Sequence, residues 1–137
     1  MSQSSPNSTS WTRDELDRVG AAEELRVASL RRDGSLRDPV TIWVVGDGGE
    51  LFVRSVNGAG SAWFRGTRGT HEGRVWAGGV EKDVRFEDAN HALDDRLDAA
   101  YRTKYRHYAA SIIDRITSAR ARATTLRLVP RGNTTLN

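Results

Sequence analysis

Residues 36–56 read LRDPVTIWVVGDGGELFVRSV. β-Branched and aromatic side chains crowd residues 36–45, as a strand requires. Gly46-Asp47-Gly48-Gly49 then offers the left-handed backbone of a tight hairpin. Residues 50–56 return as a second strand. The stretch therefore predicts two long antiparallel neighbours. Pro39 has no ladder donor, which puts that part of the first strand at a sheet edge or a strand start.

Outward from this hairpin the chain repeats the same grammar. On the N-terminal side, residues 25–28 alternate apolar and polar as a half-buried strand does, and Arg32-Asp33-Gly34-Ser35 is a turn. Before that, Thr12 and Glu15 have capping-box spacing and open a short helix expected to stop at Gly20. On the C-terminal side, Asn57-Gly58-Ala59-Gly60 breaks the strand, and residues 61–65 read as a short helical or irregular piece carrying Trp63 and Phe64. Residues 71–77 and 81–86 form a strand pair across Gly78-Gly79. Asn90 caps a long helix in which Leu93, Leu97, Ala100, Tyr101, Tyr105 and Tyr108 recur at helical spacing. Ile112, Ile113 and Ile116 continue an apolar face after a candidate break. Residues 124–129 are a last strand, closed by Pro130. Residues 1–10 and 132–137 read as tails, the first disordered, and residues 11–131 as one domain. About six short strands without βαβ crossovers exclude a doubly wound sheet and suit a small antiparallel barrel, mainly β with flanking α.

Composition narrows the function classes. The 137 residues are 37% hydrophobic and 28% charged, which is globular. Cysteine is absent, excluding disulfides, a thiol nucleophile and thiolate metal sites. No apolar run approaches the ~20 residues of a membrane span, and no secretion signal is evident, so a cytoplasmic location without membrane contact is expected. The net charge of +3 is unevenly placed: residues 1–98 carry −4 and residues 99–137 carry +7. Such a basic third suits nucleic acid. However, Tyr101, Tyr105 and Tyr108 are spaced as a helix stripe, not as a stacking platform, so a solvated helix face is expected instead. His71, His91 and His107 lack metal-ligand spacing, and no P-loop, GxSxG or GxGxxG motif occurs. No metal site is expected.

The chemistry concentrates in residues 31–66. Arg31, Arg32 and Arg37 flank a tight turn, the strand with Thr41 follows, and its partner ends in Arg54-Ser55-Val56-Asn57-Gly58. Trp63-Phe64-Arg65-Gly66 comes next. Forked guanidiniums and N–H groups at Gly-rich strand ends suit an anion, and an indole beside them suits a ring. Trp43, on the central strand, is expected in the core.

The succession PVTIWVV, ELFVRSVNG, AWFRGT, HEGRVWAGGVEKDV, AAYRTKY and ATTLRLVPR resembles a small bacterial family of unknown function. That family is grouped with the FMN-binding split barrels, beside pyridoxamine-phosphate-oxidase-like proteins and deazaflavin-dependent nitroreductases. The resemblance covers residues 11–131. It implies a six-stranded split barrel with a short N-terminal helix and a longer helix before the last strand. It implies an oxidoreductase that holds FMN or a deazaflavin by its phosphate and passes a hydride to a small organic substrate. In the deazaflavin-dependent relatives a basic Gly-containing turn before a Pro-bearing strand holds cofactor phosphate, which maps to Arg31, Arg32, Gly34 and Arg37. A Ser-x-x-Gly and a following Trp map to Ser55, Gly58 and Trp63. With these, Thr41, Arg54, Asn57 and Arg65 complete the expected cofactor site, and Tyr101 and Tyr105 the substrate side. Arg37→Ala and Arg54→Ala are expected to weaken cofactor binding with little change in folding. A homodimer is implied. Those relatives carry Asn-Leu and Asn-Pro after the Trp, where this chain has Phe64-Arg65-Gly66-Thr67-Arg68. The alternative is accordingly a cofactor-free barrel that binds a small organic ligand and assists a non-redox biosynthetic step.

Overall fold

The computed structural model describes residues 10–131, so most of both expected tails (residues 1–9 and 132–137) lies outside the described residues. Seven strands form one sheet: β1 (Leu25–Ser29), β2 (Val40–Ile42), β3 (Val45–Asp47), β4 (Glu50–Val53), β5 (Glu72–Ala77), β6 (Val80–Asp88) and β7 (Leu126–Pro130). Their order is β2-β1-β5-β6-β7-β4-β3, and every neighbouring pair is antiparallel.

The expected single strand over residues 36–45 is two strands, and this difference makes the barrel. β2 pairs with β1 at one edge of the sheet, whereas β3 pairs with β4 at the opposite edge. Three residue steps separate Ile42 from Val45, and an extended chain covers at most about 3.5 Å per residue. The two edges must therefore come within roughly 11 Å, which a seven-stranded sheet achieves only by curling. Counting β2 and β3 as one interrupted strand recovers the expected six. Pro39 precedes edge strand β2, where its missing donor costs nothing.

Local sequence explains the other elements. Helix α1 (Arg13–Ala21) has the full capping box: Glu15 N–H donates to Thr12 Oγ1 at 3.0 Å and Thr12 N–H to Glu15 Oε1 at 2.9 Å. It runs one residue past Gly20. The β3–β4 and β5–β6 hairpins turn on Gly48-Gly49 and Gly78-Gly79, all four at positive φ, as a two-residue primed turn demands. The segment expected as a short piece at 61–65 is a nine-residue helix, α2 (Ala62–Thr70). The expected long helix is broken into α3 (Asp94–Lys104), α4 (Ala110–Ile116) and the short α5 (Ala119–Arg122).

Alternation along the strands produces two cores. One face of the sheet turns inward, with Leu25, Val27, Val44, Leu51, Val53, Val75, Val84, Phe86, Leu126 and Leu128, and Trp11, Val19 and Phe64 close it. The opposite face of β3 and β4 presents Val45 and Phe52 to Leu97, Tyr101, Tyr105, Ile113 and Ile116 of the helical layer. The site described next lies where this outer layer meets the gap between β2 and β4.

Candidate functional site

A cavity of about 380 Å³ opens at this seam. Its wall is largely apolar, with Val40, Ile42, Trp43, Val56, Trp63, Ile112 and Ile116. Thr41, Arg54, Ser55, Asn57, Ser61 and Arg115 supply its polar atoms. Val40 and Ile112, both more than a third exposed, rim it. The structure thus brings together five of the expected residues: Thr41, Arg54, Ser55, Asn57 and Trp63.

Ser55 is 1% exposed and sits at the end of β4, tied to the sheet by its N–H donating to Thr124 Oγ1 at 2.8 Å. Its hydroxyl donates to the Gly58 carbonyl at 2.7 Å, and Ser61 Oγ lies 2.7 Å away. A hydroxyl has one proton, and Ser55 has given its own to a carbonyl. Ser61 therefore donates to Ser55 and offers lone pairs to the cavity. Gly58, also expected in the site, does not line the cavity. It has φ +80°, and a Cβ there would lie 2.2 Å from Arg120 Cγ, so the loop turns beneath the Arg120 side chain.

Arg54 is as deeply buried as Ser55, and its hydrogen bonds are made within the protein. Nε donates to Thr125 Oγ1 at 2.9 Å, NH1 to Asp98 Oδ1 at 2.6 Å and to Ile116 O at 3.1 Å, and NH2 to Asp94 O at 3.4 Å. Asp98 also pairs with Arg122. Burial pushes the Asp98 carboxyl up, but hydrogen bonds and charge from Arg122 and Arg54 outweigh it and hold the group below the ordinary carboxylate range. The expectation that Arg54→Ala leaves folding nearly unchanged is corrected here: the guanidinium ties β4 to α3, α4 and the start of β7.

Arg115, which the sequence reading missed, is a cation in the cavity wall with donors left for a ligand. It is exposed on α4; NH2 donates to Asn57 Oδ1 at 2.8 Å, and among the described residues Nε and NH1 have no partner. A second hollow of about 320 Å³, with Asp114, Ser118 and Arg120 in its wall, shares Val56, Asn57 and Arg115 with the first. Its one sequence signal was the Ile112/Ile113/Ile116 face, which fixes how α4 lies against the barrel.

The remaining expected residues lie elsewhere. Arg31, Arg32 and Arg37 are exposed around the turn after β1. Arg31 NH1 donates to the Leu36 carbonyl at 3.0 Å, and Arg37 packs beside Gly66 of α2. Arg65 is exposed on α2. None of these four lines the cavity. Tyr101 and Tyr105 are completely buried in the outer core. Tyr105 stacks on the back of Trp43 at 3.9 Å with the rings 3° from parallel, and Arg54 lies 5.3 Å from the Tyr101 ring. Burial pushes both phenols well above their ordinary range. Trp43, expected in the core, is half-buried, with one face on Tyr105 and a place in the cavity wall.

Among the described residues, no cluster of three or more His, Asp or Glu could hold a metal, and no helix is long and apolar enough to cross a membrane.

Residues 15–128 match the model of a family described as uncharacterised proteins conserved in bacteria, DUF2255. No curated protein matches the chain. Solved structures with the same fold include one titled F420 reductase, at 13% identity and TM-score 0.54, covering 87% of this chain and 93% of that one. Another is Atu2129, a protein of unknown function from Agrobacterium tumefaciens, at 13% identity and TM-score 0.58. It covers 89% of this chain, which spans 55% of that protein. A third is the conserved hypothetical protein Rv2991 from Mycobacterium tuberculosis, at 13% identity and TM-score 0.53, covering 96% and 86%. At these identities the likeness is one of fold.

Proposed function

The chain belongs to the DUF2255 family, and from that premise we propose that it binds FMN or a deazaflavin in the Trp43–Trp63 cavity and serves hydride transfer to a small organic substrate. One observation carries this reading: a two-indole apolar cavity is lined by a cation, Arg115, whose remaining donors have no partner among the described residues. The volume of about 380 Å³ is within the range of small-molecule sites, which pair apolar walls with a few placed polar atoms. Trp43, held from behind by Tyr105, is a rigid surface for a planar ring. Ser61 Oγ suits a ring N–H, and Arg115 with Arg120, two cations against the single carboxylate of Asp114 in the second hollow, suits a negatively charged tail. Bound there, the cofactor supplies the hydride chemistry, while the chain's own residues orient the ring, bind the anion and keep water from one face. Supporting this, the fold is shared with a protein titled F420 reductase.

The test is a titration of the purified protein with FMN and, separately, with a deazaflavin. Quenched cofactor fluorescence and a shifted visible band are expected. Arg115→Ala should weaken binding by about 1–3 kcal/mol, the scale of a charge-assisted hydrogen bond. Trp63→Ala should weaken it as well, and because Trp63 also packs against the barrel core it should lower the melting temperature, whereas Arg115→Ala should not. Unchanged fluorescence with both cofactors would overturn the proposal.

A second reading is a cofactor-free barrel that binds a small organic ligand. It is favoured by the basic turn at Arg31, Arg32 and Arg37 standing apart from the cavity, which leaves Arg115 and Arg120 to meet an anion. A copurified organic molecule without a flavin or deazaflavin spectrum, released on denaturation and identified by mass, would select it.

A further inference from the structure

We propose that Glu23 is a positioning residue of the cavity: through Tyr108 it fixes the angle of the Trp43 indole in the cavity wall. The use of that angle for a ring ligand rests on the reading above; the hold on Trp43 is a property of the chain alone.

Trp43 and Val44 span the gap between β2 and β3, outside the ladder of either strand. Side chains fix them instead. The Tyr105 hydroxyl accepts from Val44 N–H at 3.2 Å, and Lys104 donates to Val44 O at 2.7 Å. Behind the indole stand two rings, Tyr105 in parallel contact and Tyr108 with its centroid at 4.8 Å and a 50° tilt. Both rings are tied to Glu23, in the connection between α1 and β1. Tyr105 donates to its backbone carbonyl at 2.9 Å, and Tyr108 to its carboxylate Oε2 at 2.5 Å. His107 Nε2 lies 3.1 Å from the same oxygen.

The two ties differ in kind. Tyr105 is completely buried, its ring lies flat on the indole, and its partner is main chain that no side-chain substitution removes. Tyr108 is half-buried at the break between α3 and α4, and among the described residues its hydroxyl has Glu23 as its one partner. Hydrogen bonds from Tyr108 and His107 hold the Glu23 carboxyl below the ordinary carboxylate range, so it is ionised and the Tyr108 bond is charge-assisted. A parallel stack alone leaves a ring able to slide in its own plane, and a second ring at a tilt blocks that motion. Glu23 therefore decides, through Tyr108, whether the indole keeps one angle or slides across the face of Tyr105. A ring ligand gains from a wall already at its bound angle, because no ordering cost is left for binding to meet.

The test labels the full chain, without cofactor, with 5-fluorotryptophan, which gives a fluorine resonance for each of Trp11, Trp43, Trp63 and Trp76. Trp43→Phe identifies the resonance of Trp43. In Glu23→Ala and in Tyr108→Phe that resonance should shift and broaden, while those of Trp11 and Trp76 stay. The double variant should show no more change than either single one. Glu23→Gln, whose amide oxygen still accepts the Tyr108 proton, should keep the parent spectrum. Glu23 is exposed and Tyr108 half-buried, so these variants keep the fold, and the Trp11 and Trp76 resonances report it. A Trp43 resonance that holds its parent position in Glu23→Ala or in Tyr108→Phe overturns the proposal, as does one that moves as far in Glu23→Gln. Where the parent binds FMN or a deazaflavin, Glu23→Ala should raise the Kd about tenfold, the scale of one charge-assisted hydrogen bond, and an unchanged Kd overturns the proposal too. A parent that binds neither cofactor removes the reading above and leaves the resonances to decide this one.

Discussion

The two cores of this protein share the strand β4, yet they are built on opposite principles. On one side of it, Leu51 and Val53 face a barrel interior of aliphatic and aromatic side chains. On the other, Phe52 and Arg54 face a helical layer of tyrosines, threonines and the buried pair of Arg54 with Asp98. The interior is held by burial of apolar surface, which needs no partner geometry. The outer layer is held by a network in which each polar group depends on another, because an unpaired charge removed from water is costly. The cavity lies against the second region, where side chains have fixed directions and a ligand can be read atom by atom.

Asp98→Ala is the sharpest way to break this contrast. It leaves the Arg54 guanidinium buried without its counter-charge, at a cost of about 3–5 kcal/mol. Phe86→Ala in the interior should cost a similar ~3–5 kcal/mol by leaving a cavity. Their pH profiles should differ. The folded Asp98 carboxyl sits below its unfolded value of about 4. Its contribution is complete above that value and is lost as pH falls through the lower folded one. Urea midpoints should therefore fall in acid for the parent and for Phe86→Ala, and fall less for Asp98→Ala. Equal acid slopes in all three would place the acid sensitivity elsewhere.

An intermediate effect tests the one hydrogen bond that enters the apolar interior from Trp11. Its Nε1–H donates to the Leu128 carbonyl at 2.9 Å. Trp11→Phe keeps an aromatic ring but strands that acceptor, and should cost about 1–3 kcal/mol in chemical denaturation.

A pH-dependent effect belongs to Lys104, which donates to Val44 O at 2.7 Å from the edge of the outer core. Burial lowers its pKa to about 8, and the Glu23 charge opposes the shift. A lysine whose folded pKa is below its unfolded value of about 10.4 destabilises while charged. Stability should thus climb as pH rises from about 8 toward about 10. Denaturation midpoints of Lys104→Met should lack this climb.

Arg54 also shows why part of the site was illegible. Alternation along residues 50–56 puts Arg54 on the Phe52 face, opposite Leu51 and Val53. Whether that face meets water or protein depends on α3, about 40 residues away in sequence. A strand-end arginine reads as a surface anion binder until a helix covers it. Ser55, Asn57 and Trp63 were legible because a strand end, a Gly-rich turn and a helix start lie within nine residues. Arg115 was not, since Asn57 and Arg115 meet across 58 positions.

The sequence by itself determined the antiparallel strands, the Gly-Gly hairpins, the capping box and an all-antiparallel mainly-β class. These depend on residues within a few positions of one another, where backbone sterics and side-chain period decide. Tertiary structure alone decided that residues 36–45 divide between the two edges of the sheet, that Arg54 is internal, and that Arg115 completes the cavity. Each of those follows from closing the sheet and laying helices on its outer face, and sheet closure brings together residues that no local pattern connects.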